Sequence, residues 1–179
     1  HGAAATAYVA MAGSSASNNK SVNYTFPSIM DDLALTASYS GSALALKSTT
    51  AWAATYTGFE GLSVSYGAGE AGSTTATASG DVTTMKASYA IGSFTAAVSN
   101  TENDLTGTGT DEEMSSFKLS YTVTDDLSVS YGEETHETSA QSVDEEFEAI
   151  SVSYTTGGMT LTASQTDAAG LANTAGQTA

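Results

Sequence analysis

Along most of the chain apolar and polar residues alternate one by one. Leu127, Val129 and Tyr131 fall on one side of an extended backbone, and Ser128 and Ser130 on the other. Ile150, Val152 and Tyr154 oppose Ser151 and Ser153, while Met159, Leu161 and Ala163 oppose Thr160, Thr162 and Ser164. Leu119, Tyr121 and Val123 likewise oppose Lys118, Ser120 and Thr122. A period of two residues marks strands, because successive side chains of an extended backbone point to opposite faces. The pattern predicts strands at 3–12, 20–26, 33–40, 50–57, 62–68, 82–91, 94–100, 114–123, 127–135, 147–155 and 159–166, and no helix.

The alternation itself recurs. Tyr24, Tyr56, Tyr89, Tyr121 and Tyr154 each precede a short turn, at spacings of 32, 33, 32 and 33 residues. After each turn a strand opens on an apolar residue: Leu33, Leu62, Phe94, Leu127 and Met159. One hairpin is made five times. Its connections alternate in kind. Pro27 to Asp32, Gly58 to Gly61, Gly92-Ser93, Thr124 to Asp126 and Thr156 to Gly158 are short. Gly and Asp there supply the positive φ and local hydrogen bonds of tight turns. The other connections are longer and hold the acidic clusters Asp111-Glu112-Glu113 and Asp144-Glu145-Glu146, with Glu133, Glu134 and Glu137. Acidic residues are expected to stay out of strand interiors. The outcome is an all-β, antiparallel up-and-down sheet with two chemically distinct ends, a single domain over residues 1–179.

Two architectures share this pattern. In a soluble sheet one face packs on a core and the other meets water, and the tyrosines are cross-strand packing. In a transmembrane β-barrel one face meets lipid and the other a watery lumen. Three features favour the barrel. The connections alternate between short and long, as periplasmic turns and extracellular loops do. Tyr24, Tyr56, Tyr89, Tyr121 and Tyr154 all lie on the apolar face near the short turns, where a membrane-interface girdle needs them. Tyr39, Tyr66, Phe117 and Tyr131 lie nearer the long loops and suit an opposite girdle. The polar face is almost purely Ser, Thr and Ala, a composition unlike a soluble surface. Closure also leaves no open sheet edge in lipid.

Composition narrows the function classes. Twenty Asp and Glu face four Lys and no Arg, a net charge of −16, which leaves no basic patch for nucleic acid. Large aliphatic side chains are too scarce to fill a soluble core. Without cysteine there is neither a disulfide framework nor a thiolate metal site. No apolar run reaches the roughly 18 residues of a transmembrane helix. His1-Gly-Ala-Ala opens without Met or a basic segment, so the chain is expected to be processed or a piece of something longer.

Candidate chemistry is sparse. Lys86 and Lys118 each precede a girdle tyrosine by three residues, on the polar face of equivalent strands. Together they form a basic rung in a wall lined by Ser120, Ser128, Ser130, Ser151 and Ser153; the alternative is that they offset nearby carboxylates. Lys20 and Lys47 have no clear placement. Asp111, Glu112, Glu113, Asp144, Glu145 and Glu146 are weak candidates for Ca²⁺, a hard cation that takes several oxygens. They lack the spacing of a calcium loop, and a solvated repulsive loop explains them as well. Gly67-Ala-Gly-Glu-Ala-Gly72 matches a dinucleotide fingerprint, but no helix follows it, so it reads as a loop. His136 stands among glutamates in a loop with no second imidazole or thiolate nearby. No G-x-S-x-G elbow is present. An enzyme is not expected, and apart from the possible Ca²⁺ no cofactor is.

The segment SIMDDLALTASYSGS, the recurring S-Y, short turn, L-S-V-S-Y phrase, and the tail VSYTTGGMTLTASQTDAAGLA resemble Gram-negative general porins. The nearest type is the acidic, Arg-poor porins of marine alphaproteobacteria. The resemblance implies a barrel of about 16 strands in the bacterial outer membrane. It also implies a homotrimer, with lipid and lipopolysaccharide as neighbours, passing small hydrophilic solutes and ions by passive diffusion. In that family divalent cations bridge loops to lipopolysaccharide, and one long loop narrows the pore. Eleven strands are fewer than the family's number, and the family's closing strand ends on an aromatic residue, which this chain lacks. The chain is therefore expected to be a fragment without its first strands and its closing strand. The alternative function is a soluble or fibrous β-rich cell-surface protein, structural or adhesive.

Overall fold

A computed structural model of the protein describes residues 21–40, 49–71, 79–106, 110–140 and 142–170. Ten strands follow one another: β1 (Ser21–Thr25), β2 (Leu33–Ser40), β3 (Thr49–Tyr56), β4 (Leu62–Ala71), β5 (Ser79–Ile91), β6 (Phe94–Thr106), β7 (Glu112–Thr124), β8 (Leu127–Thr138), β9 (Glu145–Thr156) and β10 (Met159–Ala169). Each pairs antiparallel with its neighbours in sequence, so the sheet is a meander in which β1 and β10 form the two edges. Among the described residues there is no helix. The expected strand at 3–12 lies outside the described residues, and the other ten are all present.

The boundaries differ from expectation mostly at one end. At the short turns they agree within two residues, whereas several strands run further into the long connections. β6 ends at Thr106 instead of residue 100, β8 at Thr138 instead of 135, and β4 at Ala71 instead of 68. Glu70, Glu102, Asp104, Glu112, Glu113, Glu137 and Glu146 therefore sit in strands, as do Glu133, Glu134 and Glu148 within the expected bounds, contrary to the expectation that acidic residues avoid strand interiors. The ladder is made by backbone groups and continues wherever polar side chains can be solvated on both faces. Gly67 to Ala71 is corrected in the same way: it is the upper part of β4, paired with β5 through Gly67↔Thr84 and Gly69↔Val82. Gly72 lies outside the described residues.

The repeat has a backbone cause. Tyr56, Tyr89, Tyr121 and Tyr154 are each in register with the first residue of the strand before, namely Leu33, Leu62, Phe94 and Leu127. The N–H one residue beyond each tyrosine donates to the last carbonyl of the preceding short turn. These bonds are Thr57 to Asp32 (2.9 Å), Ala90 to Gly61 (2.8 Å), Thr122 to Ser93 (2.9 Å) and Thr155 to Asp126 (2.8 Å). Each new hairpin thus docks on the turn of the one before, which spaces the tyrosines. The turns need unusual backbone: Gly157 and Gly158 have φ of 57° and 81°, the pair of positive values that a two-residue type I′ hairpin requires.

Asp32 is the one non-glycine residue with positive φ among the described residues, at 65°. Asp tolerates that region better than most side chains, and β-branched residues do not. Asp32→Gly should leave stability unchanged or slightly raised, and Asp32→Val should lower it by about 1–2 kcal/mol; urea unfolding of the two variants checks both.

The described residues form no apolar core. Among the described residues the buried apolar side chains are Ala51, Ala53, Ala97 and Ala149, whereas Ile29 is 72 % exposed and Leu161 67 %. The register puts Leu33, Tyr56, Val64, Tyr89, Val98, Phe117, Leu119, Tyr121, Val129, Val152 and Tyr154 on one face. The opposite face holds the small and hydroxyl residues, among them the buried Thr84 and Ser99. Small side chains become shielded in a single-layer sheet when it curls toward them. β4 and β6, which are not paired, approach one another across β5. The hydroxyl face is therefore concave and the aromatic and aliphatic face convex.

Candidate functional site

The concave wall is built of cross-strand hydroxyl pairs. Thr55 Oγ1 lies 3.0 Å from Ser65 Oγ, and Thr84 Oγ1 3.1 Å from Thr101 Oγ1. Ser99 and Ser130 hydroxyls each lie 2.7 Å from their partners, Ser116 and Ser151, and Thr155 lies 3.0 Å from Thr160. Every pair consists of residues directly opposite in the ladder, where short hydroxyl side chains meet. Ser120 is in register with Ser130, and Ser128 with Ser153. The predicted lining residues Ser120, Ser128, Ser130, Ser151 and Ser153 thus form a continuous patch on this face.

Lys86 and Lys118 share the face. Lys86 is in register with Ser65 and Ser99, and Lys118 with Ala97 and Gly132. They are two strands apart and two residues out of line, so at ordinary strand dimensions their Cα atoms are about 12 Å apart. That offset matches the tyrosine rhythm on the other face. Tyr89 is in register with Ala96 and Leu119, and Tyr121 stands two residues nearer the turns; Tyr154 stands two residues beyond Val152, the partner of Val129 and Tyr121's level. A descent of two residues per two strands, at about 3.3 Å per residue and about 4.8 Å between strands, corresponds to a strand tilt of about 35°. Tilts of that size bring such tyrosines to one height in a barrel. Lys86 and Lys118 are then level as well.

Tyr24 departs from the rhythm. It pairs with Ala37, four residues above the level of Tyr56, and Phe26 takes the regular place: its N–H donates to Leu35 O (3.0 Å). The two rings meet edge to face at 4.9 Å. The seven-residue connection after β1 lifts the pattern here, where the later short turns are shorter. Tyr39, Tyr66, Phe117 and Tyr131 lie on the convex face with Tyr56, Tyr89, Tyr121 and Tyr154. Trp52, which the alternation around Ala51, Ala53 and Ala54 hides, joins them; its ring lies 5.5 Å from that of Tyr66. Its signal was its even spacing from Tyr56.

The acidic clusters are divided between faces. Glu112 lies on the concave side and Glu113 on the convex, and Glu145 and Glu146 split in the same way. Asp111 Oδ1 accepts the Leu105 N–H (2.8 Å), and Glu113 Oε1 accepts from Asn100 Nδ2 (2.6 Å). Among the described residues no three carboxylates or imidazoles gather as a cation site would need. Asp144 lies in the connection before β9. His136 is in β8 rather than in a loop and faces Glu145 in register, with Nδ1 3.5 Å from Oε2. Glu134, two residues below on the same face, is half-buried. Met114 and Phe147 also point to the concave side, in register with His136 and Glu134. The polar face is thus less uniformly small near the long connections than the sequence suggested. Reading those inward charges requires the register, which the acidic runs conceal.

The sequence profile of the Gram-negative porin family matches residues 2–165. Among solved structures, the anion-selective porin from Comamonas acidovorans superposes with a TM-score of 0.64 at 15% identity, covering 75% of this chain and 44% of that one. Outer-membrane expressed OmpT of Vibrio cholerae gives 0.60 at 18% identity, covering 83% and 54%. Its loop L8 deletion mutant gives 0.58 at 18% identity, covering 83% and 57%. The chain spans about half the length of the solved structures it matches. No curated protein matches it. With a curled, sequentially paired sheet, a hydroxyl-lined concave wall and a profile match over nearly the whole chain, this protein belongs to the Gram-negative porin family and has the fold of an outer-membrane β-barrel.

Proposed function

We propose that the chain forms part of the wall of a water-filled channel through which small hydrophilic solutes and ions diffuse passively. The observation that carries this is the division of one unlayered sheet into a concave hydroxyl face and a convex apolar face. Paired Ser and Thr hydroxyls satisfy one another while still presenting polar surface, so such a wall wets well and holds no solute tightly. The channel acts without chemistry on its solutes and needs no cofactor. Further strands complete the wall between β1 and β10, a reading supported by the length of the porins that the chain resembles. The convex face meets outer-membrane lipid, the short turns face the periplasm, and the acidic long connections lie among lipopolysaccharide, where Ca²⁺ is a suitable counterion. A homotrimer is the proposed assembly, supported by the trimer form of OmpT from Vibrio cholerae among the similar structures.

Lys86 and Lys118 give the proposed lumen a local positive rung. Planar bilayer recording tests the channel and the rung together. The wild-type protein should give stepwise conductance. The double variant Lys86→Gln/Lys118→Gln should keep it and raise the cation-to-anion permeability ratio by about threefold or more, since unit charges at such distances are worth a sizeable fraction of a kcal/mol even in water. An unchanged ratio would remove the lysines from the role; absence of conductance would remove the channel.

A further inference from the structure

The convex face is apolar over only part of its height. On β7 the outward apolar run is Phe117, Leu119, Tyr121 and Val123. On β8 it is Leu127, Val129 and Tyr131, on β9 Ile150, Val152 and Tyr154, and on β6 Phe94, Ala96 and Val98. These runs cover five to seven residues of strand, about 11–16 Å from first to last along the barrel axis at a 35° tilt. Outer-membrane barrels present an apolar band of about 25 Å.

Above the runs the same face turns polar at once. The next outward residues are Ser115, Glu133, Glu148 and Asn100, followed by Glu113 and Glu102. Glu133 stands opposite Glu148, which stands opposite Asp167, and Glu102 stands opposite Glu113, which stands opposite Glu137. Like charges directly across a ladder repel, and both lysines of the described strands are on the other face. Such rungs are intolerable in hydrocarbon. The Tyr131 hydroxyl donates to the Glu133 carboxylate, so wetted chemistry begins at that ring. At the other end the apolar character continues past the strands: Ile29, Met30 and Phe59, in the short turns, are 72, 54 and 64 % exposed. Phe59 packs edge-on against Tyr56.

We infer that the lipid belt is displaced toward the short turns. Acyl chains meet the convex face from those turns up to Val98, Phe117, Tyr131 and Ile150, and the remaining length of β6 to β10 stands in the headgroup layer. This rests on the membrane-wall reading above and fixes where on the wall the boundary falls. The chain has no cysteine, so single-cysteine variants report cleanly. Val98→Cys, Ile150→Cys, Asn100→Cys and Glu148→Cys in the full chain, reconstituted into phosphatidylcholine vesicles, are exposed to a charged maleimide on both sides of the membrane. Positions 98 and 150 should label about tenfold more slowly than 100 and 148, although each pair is separated by one step along a single face. Protection of all four would overturn the displaced belt and leave the membrane wall standing. Rapid labelling of all four would overturn the membrane wall itself.

Discussion

Val152→Arg should prevent assembly, while Ser151→Arg, one residue away, should leave the protein folded and alter the current it passes. Val152 is in register with Val129 and Ala163, in the middle of the convex apolar run. In the proposed membrane wall a guanidinium there would face acyl chains, and in outer-membrane barrels a charge near the midplane costs about 2–4 kcal/mol. That is a large share of the margin that holds a domain together. Ser151 faces the concave side between Ser130 and Ser164, and its hydroxyl lies 2.7 Å from that of Ser130. Replacing it loses one hydrogen bond, about 1 kcal/mol, and puts a solvated cation into the proposed lumen. The folded fraction, read from heat-modifiable gel mobility, should fall sharply only for the first variant. Single-channel conductance should drop for the second. Equal folding defects in both would mean that the two faces are not in different media.

Gly61→Ala should destabilise the sheet far more than Gly92→Ala, although both glycines occupy short turns with positive φ. Their φ values are 76° and 57°. Around Gly92 a methyl group meets nothing within 4 Å, so only the backbone preference is lost, about 1 kcal/mol. At Gly61 a Cβ would collide with the carbonyl oxygen of Ala90. Ala90 is also the residue whose N–H donates to Gly61 O at 2.8 Å. Making room for the methyl must therefore pull the β5 end away from the turn it docks on, and the cost rises to about 3 kcal/mol with the lost hydrogen bond. Urea midpoints for the two variants decide this, and equal shifts would mean that the turn's close approach to Ala90 does not matter for stability.

The faces of the strands were legible in the sequence because a period of two admits no partial error. Lys86 and Lys118 stand an odd number of residues from Tyr89 and Tyr121, so their placement opposite the girdle followed directly. The strand ends at the long connections were not legible. There alternation between apolar and polar stops while the backbone ladder continues, so Thr101 to Thr106 and His136 to Thr138 looked like loop. For the same reason Glu112 and Glu113 looked like one cluster, whereas pairing sends them to opposite faces. Equal spacing also misled at Tyr24, where a longer turn shifts the register and Phe26 holds the regular level. Spacing counts residues along the chain, while height depends on which residues pair across it. The inward neighbours Glu134, His136 and Glu145 emerged only once that pairing was known.

The docking of each hairpin on the preceding turn makes the 32–33-residue unit interchangeable in evolution. A tandem duplication or loss of one whole unit would present the same carbonyl to the same N–H and keep the tyrosine register. The circumference would change by two strand widths, about 10 Å. An insertion of odd length within a strand would turn residues of the convex face inward. A lineage built on such a unit can therefore widen or narrow its walls by copying, without redesigning them.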